Sequence, residues 1–292
     1  MRTIDLDSLE IFRAVVAEGG VVRAATRLNR VQSNVTTRIR QLEERLGVAL
    51  FHRQGRKLLL TGDGQRLLGY AERLLRLADE AVETLQGGEP RGRFRLGSLE
   101  STAGSRLPPV LARFHSLYPE VTVDLSTGPS GLLVERVRRF EIDAALVSEP
   151  FQAPDLQSQP VFSEELVLVA PQGATMTAAT ALARQTVIAF QRGCSYRHRL
   201  EEWLAGLSVQ PQRVLEFASY QAMVACVAAG TGVTIVPRCV LAGLPGLAQV
   251  SVHPLPPTIA ANRTHLIWQA PLSPAIGGIL ALLEVSPTVV TV

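Results

Sequence analysis

Apolar residues recur at helical spacing through the first part of the chain and gather into short runs afterwards, so two kinds of architecture follow one another. Leu6, Leu9, Phe12 and Val16 keep helical intervals up to Gly19-Gly20, which predicts a first amphipathic helix. A short second helix is predicted over Val22 to Leu28, with Ala24, Ala25 and Leu28 inward and a tight connection at Asn29 and Arg30. Val31, Val35, Ile39, Leu42 and Leu46 then form one stripe on a third helix that stops at Gly47. Leu50-Phe51 and Leu58-Leu59-Leu60 flank the basic tip Arg53-Gln54-Gly55-Arg56-Lys57 and predict a two-stranded wing. From Thr61 to Leu85 there is no proline, and Leu67, Ala71, Leu74, Ala78, Ala81 and Leu85 alternate steps of four and three. That is a long helix whose seam asks for a partner helix, hence a homodimer. Gly87, Gly88 and Pro90 end it and mark a boundary.

Beyond that boundary the period changes. Strand-like runs at Phe94 to Leu99, Val121 to Leu125, Ala144 to Val147, Leu166 to Ala170, Val187 to Phe190 and Arg263 to Gln269 alternate with helical stretches. The helices fall at Leu107 to Tyr118, Leu132 to Arg139, Tyr196 to Leu204, Met223 to Ala229 and Ile276 to Leu283, an order that predicts parallel α/β layers. In such layers ligands bind where strands end and helices begin. Three loops hold that position: Glu100-Ser101-Thr102, then Ser126 to Gly131 with Gly128, Pro129 and Ser130, and Gly193-Cys194-Ser195-Tyr196. Tyr220 is a fourth candidate, with packing as the simpler role. Hydroxyl-rich helix starts favour a carboxylate or another anion, strengthened by Arg192 and Arg197, although the same Ser and Thr also serve as plain helix caps.

Charge sharpens the first half of this picture. The 292 residues carry a net charge of only +3. Between Arg23 and Lys57, however, nine basic residues face two acidic ones, whereas fifteen Arg and fourteen carboxylates nearly cancel from Arg91 onward. A short basic block beside a neutral remainder is the footprint of a polyanion-binding module. With 47% apolar and 19% charged residues, a disordered or fibrous chain is excluded. No apolar stretch reaches a membrane span and no secretory signal opens the sequence, so a cytoplasmic protein is expected. Cys194, Cys226 and Cys239 show no paired spacing, and the five histidines show none either, so neither a metal nor another cofactor is expected.

Opposite the apolar stripe of the third helix lie Ser33, Thr37 and Arg40, flanked by Arg30, Asn34, Thr36 and Gln41, with no acid before Glu43. Hydroxyls, amides and guanidinium groups suit base edges and phosphates, so this pattern predicts a helix-turn-helix whose second helix enters the major groove of double-stranded DNA. Arg53, Arg56 and Lys57 on the wing can reach phosphates or a minor groove.

The run Ala24-Ala25 to Leu28, then Gln32-Ser33-Asn34-Val35-Thr36-Thr37-Arg38-Ile39-Arg40-Gln41-Leu42-Glu43-Glu44-Arg45-Leu46-Gly47, then Leu50-Phe51-His52-Arg53 and Leu60-Thr61, resembles the N-terminus of LysR-type transcriptional regulators, a bacterial family. The resemblance continues to the end of the chain. It implies a multidomain protein with a winged helix-turn-helix over residues 1–60, a linker and dimerisation helix over 61–88, and an effector-binding domain over 89–292. That last domain would be periplasmic-binding-protein-like α/β, with subdomain I over about 91–162 and 267–292 and subdomain II over about 163–266. The partners implied are DNA, a small-molecule effector and further copies of the chain, usually as a homotetramer.

Carried over by position, Gln32, Ser33, Thr36, Thr37 and the wing residue Arg56 are the expected DNA contacts, with Arg40 and Arg53 added from the residue pattern. Val31 stands where the family commonly has Ser, Ser33 where it has Pro, Thr36 where it has Ser, and Thr37 where it has Arg. A helix cap and a basic contact are therefore expected to be missing. Cys194 with His198 one turn later leaves open a thiol enzyme or a thiol-based redox regulator, and the second half alone leaves open a plain small-molecule binding protein. No third orienting residue accompanies the Cys-His pair, and the basic block speaks against binding alone.

Overall fold

The computed structural model describes residues 4–54, 57–86, 89–174, 182–183, 185–242, 244 and 247–284. The chain divides into two compact units, Met1–Gly88 and Glu89–Val292.

The first unit runs α1 (Leu6–Glu18), α2 (Val21–Arg27), α3 (Gln32–Leu46), β1 (Phe51–Gln54), β2 (Lys57–Leu60) and α4 (Gly62–Gln86). Asp5 starts α1 by accepting the Ser8 backbone N–H at 2.8 Å, and that bond leads the interactions that hold its carboxyl below the usual range. Gly19 ends α1 at φ +64°, the left-handed conformation that glycine takes at least cost. One core joins Leu9, Phe12 and Val15 of α1 with Ala24 of α2, Val35, Ile39 and Leu42 of α3, and Leu50. The wing pairs antiparallel from Phe51 against Leu60 to Gln54 against Lys57. Its tip, Gly55 and the expected DNA contact Arg56, lies outside the described residues.

Three expectations need correction here. Leu6 is exposed rather than inward. Val31, expected on the buried stripe, is the N-cap of α3, is 68% exposed, and offers no side-chain bond to the helix. The long seam is really two faces: Leu67, Ala71 and Leu75 of α4 pack into the core of their own unit, while Tyr70, Leu74, Leu77, Val82 and Leu85 are exposed. A four-three repeat supplies both, because a helix leaning on its own domain at one end still carries an apolar stripe at the other.

The second unit begins with β3 (Gly92–Ser98), α5 (Glu100–Ser105), α6 (Leu107–Leu117), β4 (Val121–Thr127), α7 (Ser130–Arg138), β5 (Ala144–Ser148) and the long strand β6 (Gln157–Pro171). It continues through β7 (Thr186–Phe190), α8 (Ser195–Gly206), β8 (Arg213–Phe217), α9 (Tyr220–Ala228), β9 (Thr234–Pro237), α10 (Arg238–Leu241), β10 (Val250–Pro254), α11 (Pro257–Ala260), β11 (Ala261–Trp268) and α12 (Pro274–Glu284). β3 lies parallel to β4 and β5, and β7 parallel to β8, as the alternation predicts. β6, β9, β10 and β11 pair antiparallel, so the layers are mixed rather than parallel throughout.

β6 explains the mixture. Its first part, Gln157 to Glu165, pairs with β11, and its second, Leu166 to Pro171, pairs with β9 and β10. One core gathers Phe94, Leu96, Phe114, Leu146, Phe162, Leu266 and Ile279; a second gathers Leu166 to Ala170, Ile188, Leu200, Tyr220, Val224 and Ile235. The chain thus passes between subdomains at Glu165-Leu166 and returns at Ala260-Ala261.

Supplying the absent cap with Val31→Ser is expected to raise the stability of the first unit by about 1 kcal/mol. Gly64→Ala should cost roughly 2 kcal/mol or more, since an added carbon has no room there. The reason is local: a Cβ at Gly64 would stand 2.2 Å from the Leu50 carbonyl oxygen, whereas nothing lies within 4 Å of one at Gly62. Urea unfolding of the full chain, with Gly62→Ala as the uncrowded control, measures both.

Candidate nucleic-acid interface and ligand cleft

Burial of Val35, Ile39 and Leu42 turns the opposite side of α3 outward. Gln32, Ser33, Thr37 and Arg40 are all exposed there, and none of their side chains has a hydrogen-bond or ion-pair partner among the described residues. Thr36 differs: it is half-buried, and its hydroxyl donates to the Gln32 carbonyl at 3.0 Å. On the wing, Arg53 is exposed on β1; the side chain of Lys57 lies outside the described residues.

The basic block is less free than its count suggests. Arg30 meets Asp7 at 2.5 Å and Arg38 meets it at 3.3 Å, Arg45 meets Asp5 at 2.9 Å, and Arg27 meets Glu18 at 3.1 Å. These acids precede the block, which is why a window from Arg23 to Lys57 overstates the local charge. Arg23, Arg40 and Arg53 remain as exposed guanidinium groups with no ion pair among the described residues.

In the second unit, the loops singled out from the sequence converge on Tyr196. Ser101, Thr102, Ser130, Cys194, Ser195, Tyr196 and Tyr220 are all buried, while Glu100, Gly128 and Pro129 are half-buried. The hydroxyl of Ser101 acts on the Tyr196 phenol, whereas those of Thr102 and Ser195 have no hydrogen-bond partner among the described residues. Ser130, in contrast, is used by the fold: its Oγ accepts the Ser148 backbone N–H at 3.1 Å. A Cβ on Gly131 would stand 3.9 Å from the Gly193 carbonyl, so the second and third loops approach each other across the two subdomains.

Tyr196 donates its hydroxyl to Glu164 Oε2 at 2.7 Å. Burial, then the Glu164 charge, push its phenol well above the usual value, so it stays a donor. Tyr220 packs its ring on Phe190 with centroids 4.5 Å apart, the packing role. The Glu100 carboxyl faces the Tyr220 backbone N–H at the start of α9; burial pushes it up, and that N–H partly offsets the push. Cys194 is also pushed up by burial, more than its backbone neighbours and Arg197 pull it down, which is the reverse of an activated thiol.

Two features differ from the expected anion site. Arg197 is committed to Glu216 at 2.5 Å, Glu201 at 2.7 Å and the Phe190 carbonyl at 3.0 Å, so its charge is already neutralised. The buried acidic residue at the meeting point is instead Glu164, on β6, with Asn262 opposite it on β11. Sequence reasoning missed both. The available signal was phase: Phe162, Glu164 and Leu166 alternate with outward residues, which places a carboxylate on the buried side of a strand.

Comparison with known proteins agrees with this division. Residues 6–65 match the model for the bacterial regulatory helix-turn-helix protein, lysR family, and residues 87–285 match the LysR substrate binding domain. Among relatives, the uncharacterized HTH-type transcriptional regulator YusT of Bacillus subtilis is 36% identical over 260 residues, covering 89% of this chain and 88% of that one. The HTH-type transcriptional regulator GltR of the same organism is 36% identical over 241 residues, 82% and 81% of the two chains. Of solved structures, a full-length OxyR variant from Pseudomonas aeruginosa aligns with a TM-score of 0.73 at 21% identity, over 98% of this chain and 96% of that one. Full-length CbnR complexed with its target DNA aligns at 0.66 and 22%, over 96% and 99%. The chain belongs to the LysR family of helix-turn-helix transcriptional regulators, a DNA-binding module followed by an effector-binding domain.

Proposed function

We propose that this regulator reads operator DNA through Gln32, Ser33, Thr36, Thr37 and Arg40 of α3, with Arg53 and Arg56 of the wing on the phosphates or a minor groove, and that a small metabolite held between its two α/β subdomains sets the response. The carrying observation is the outward side of α3, where Gln32, Ser33, Thr37 and Arg40 are exposed and uncommitted among the described residues. A polar face with donors, acceptors and a cation, and no internal use for them, suits a groove. Thr36 contributes its methyl rather than its hydroxyl, which the Gln32 carbonyl already holds.

The exposed stripe Tyr70, Leu74, Leu77, Val82 and Leu85 on α4 supports a homodimer, and a homotetramer is the assembly proposed for the full regulator. A two-fold assembly places two recognition helices on half-sites about one helical turn apart. The effector loops proposed are Glu100-Ser101-Thr102, Gly128-Pro129-Ser130, Cys194-Ser195-Tyr196, and Tyr220. A carboxylate on the effector fits the hydroxyls of Ser101, Thr102 and Ser195, the last two of which have no partner among the described residues. Ligand chemistry rather than thiol chemistry is favoured, because burial pushes both Cys194 and Cys239 up. The protein is proposed to act as a regulator and not as an enzyme, in the cytoplasm where DNA is accessible; no described helix is long and apolar enough to cross a membrane.

Mobility shift on DNA upstream of the protein's own coding sequence tests the reading, with random DNA as competitor across a salt series; retention that is neither sequence-preferring nor salt-sensitive overturns it. Gln32→Ala is expected to relax base preference at one operator position by about 1–3 kcal/mol of discrimination, leaving random-sequence affinity unchanged. Arg53→Ala is expected to weaken specific and random DNA alike and to lower the slope of log K against log salt by about 0.9. A pH test addresses the contact between loops. Burial places the folded-state Glu100 value above the unfolded one, so wild type loses stability as pH rises through that interval. Glu100→Gln should therefore melt higher than wild type at neutral pH, with the difference vanishing once both states are protonated in acid.

A further inference from the structure

The buried carboxylate at the passage between subdomains has no positive partner. Glu164 is 7% exposed, and its described contacts are three: the Tyr196 hydroxyl at 2.7 Å and the Asn262 amide at 3.4 Å, both on Oε2, and the Cys239 thiol at 3.9 Å on Oε1. Among the described residues no Lys, Arg or His nitrogen lies within 4 Å of it. Arg106 is the nearby cation; it lies over the Phe162 ring, 5.7 Å from the centroid, and acts on Cys239 rather than pairing with Glu164. The amide of Asn262 is fixed in turn, since its Oδ1 accepts the Ser148 hydroxyl at 2.9 Å.

An ionised carboxylate has about four acceptor sites, and a buried one costs several kcal/mol unless it is paired and hydrogen-bonded. Here Oε1 has only a long thiol contact. The Ser101 hydroxyl acts on the same tyrosine, and the buried hydroxyls of its chain neighbour Thr102 and of Ser195, which precedes Tyr196, have no hydrogen-bond partner among the described residues. Ser101 and Ser195 come from the two subdomains, whose strands cross over beside Glu164. A partly satisfied buried network of this kind is stable when a further group completes it.

The geometry points to an effector bearing a protonated primary or secondary amine, which pairs with Glu164 while its polar remainder meets Ser101, Thr102 and Ser195. This rests on the proposal that the region between subdomains is the effector site, and it names the chemistry of that effector. With a carboxylate also present, the ligand class is a zwitterion of amino-acid size. The ammonium would supply the charge that the fold withholds from Oε1, so binding would remove the cost of an unpaired buried ion.

The test uses thermal shift of the full-length protein with the twenty L-amino acids, against the deaminated acids of the same carbon skeletons. At least one amine-bearing probe is expected to raise the melting temperature while its deaminated counterpart leaves it unchanged. Glu164→Gln, which keeps the volume and the Tyr196 contact, is expected to weaken that probe by at least about thirtyfold while retention on operator DNA is preserved. Without ligand, the same variant should melt at or above wild type, because a buried charge has been removed. Equal shifts from amine and deaminated acid, or an undiminished shift in Glu164→Gln, overturn the proposal but leave the effector site standing. A lower melting temperature for ligand-free Glu164→Gln overturns it on its own, since the carboxylate is then already satisfied. No shift from any probe overturns the amine and counts against the effector site itself. Should the variant fail to fold, the paired probes on wild type still decide.

Discussion

The rotation of α3 about its own axis is the constraint on which recognition rests, and Val35, Ile39 and Leu42 set it by packing against α1 and α2. Full burial of an aliphatic side chain is worth about 1.5–3 kcal/mol. An exposed ion pair contributes about 0–1 kcal/mol. The apolar stripe therefore determines which residues face outward, and the pairs of Asp5 and Asp7 with Arg45, Arg30 and Arg38 trim the result. One helix position of slip would carry Ser33, Thr37 and Arg40 off the exposed face together, because they share one phase of the helix.

Those ion pairs also redistribute the positive charge that the sequence concentrates in one block. An arginine held by an aspartate of α1, or of the residue capping it, orients the start of α1 against α3 but contributes less to long-range attraction. Arg23, Arg40 and Arg53 are the exposed arginines of the block left without an ion pair among the described residues. Under the proposed reading, Arg40 and Arg53 would hold phosphates from the middle of the recognition helix and from the wing, while the hydroxyls and the amide between them discriminate bases. With Val31 at the N-cap, α3 begins without the side-chain bond that Ser would give, and the Val31 carbonyl takes the N–H groups of Asn34 and Val35 instead.

Period was the legible part of this protein. The three helices, the wing and the break after α4 could be placed because burial on one side leaves a repeat of 3.6 or 2 in the sequence. The same reading divided α4 wrongly, since one four-three series served an internal face at Leu67 and Ala71 and an exposed face at Leu74 and Leu85. It also missed the first part of β6. Gln157-Ser158-Gln159-Pro160 reads as loop, and the structure tolerates Pro160 because it pairs opposite a register irregularity between Thr264 and His265. Glu164 was illegible for a different reason. Charge is normally read as exposure, and only strand phase, which depends on knowing that β6 begins at Gln157, turns that residue inward. The loops around Tyr196 could be named from strand-then-helix order, but not which hydroxyls the fold uses, as with Ser130, and which have no partner among the described residues, as with Ser195.

The passage of two antiparallel strands between subdomains is where a bound ligand would touch both halves of the domain. β6 and β11 are hydrogen-bonded through Glu164 and Asn262, and those two side chains are bonded to each other and, through Tyr196 and Ser148, to both subdomains. A group bound at that point touches both strands and both halves at once. It can shift an equilibrium between two subdomain arrangements only by the difference in its affinity for them. The difference is large when one arrangement brings Ser101 of the first subdomain and Ser195 of the second to the same ligand and the other does not. A ligand that neutralised Glu164 but missed one of those hydroxyls would bind without switching, since its contacts would be the same in either arrangement. Under the proposed reading, tight binding and effective regulation are therefore separate properties, the first assigned to Glu164 on β6 and the second to hydroxyls contributed from opposite sides.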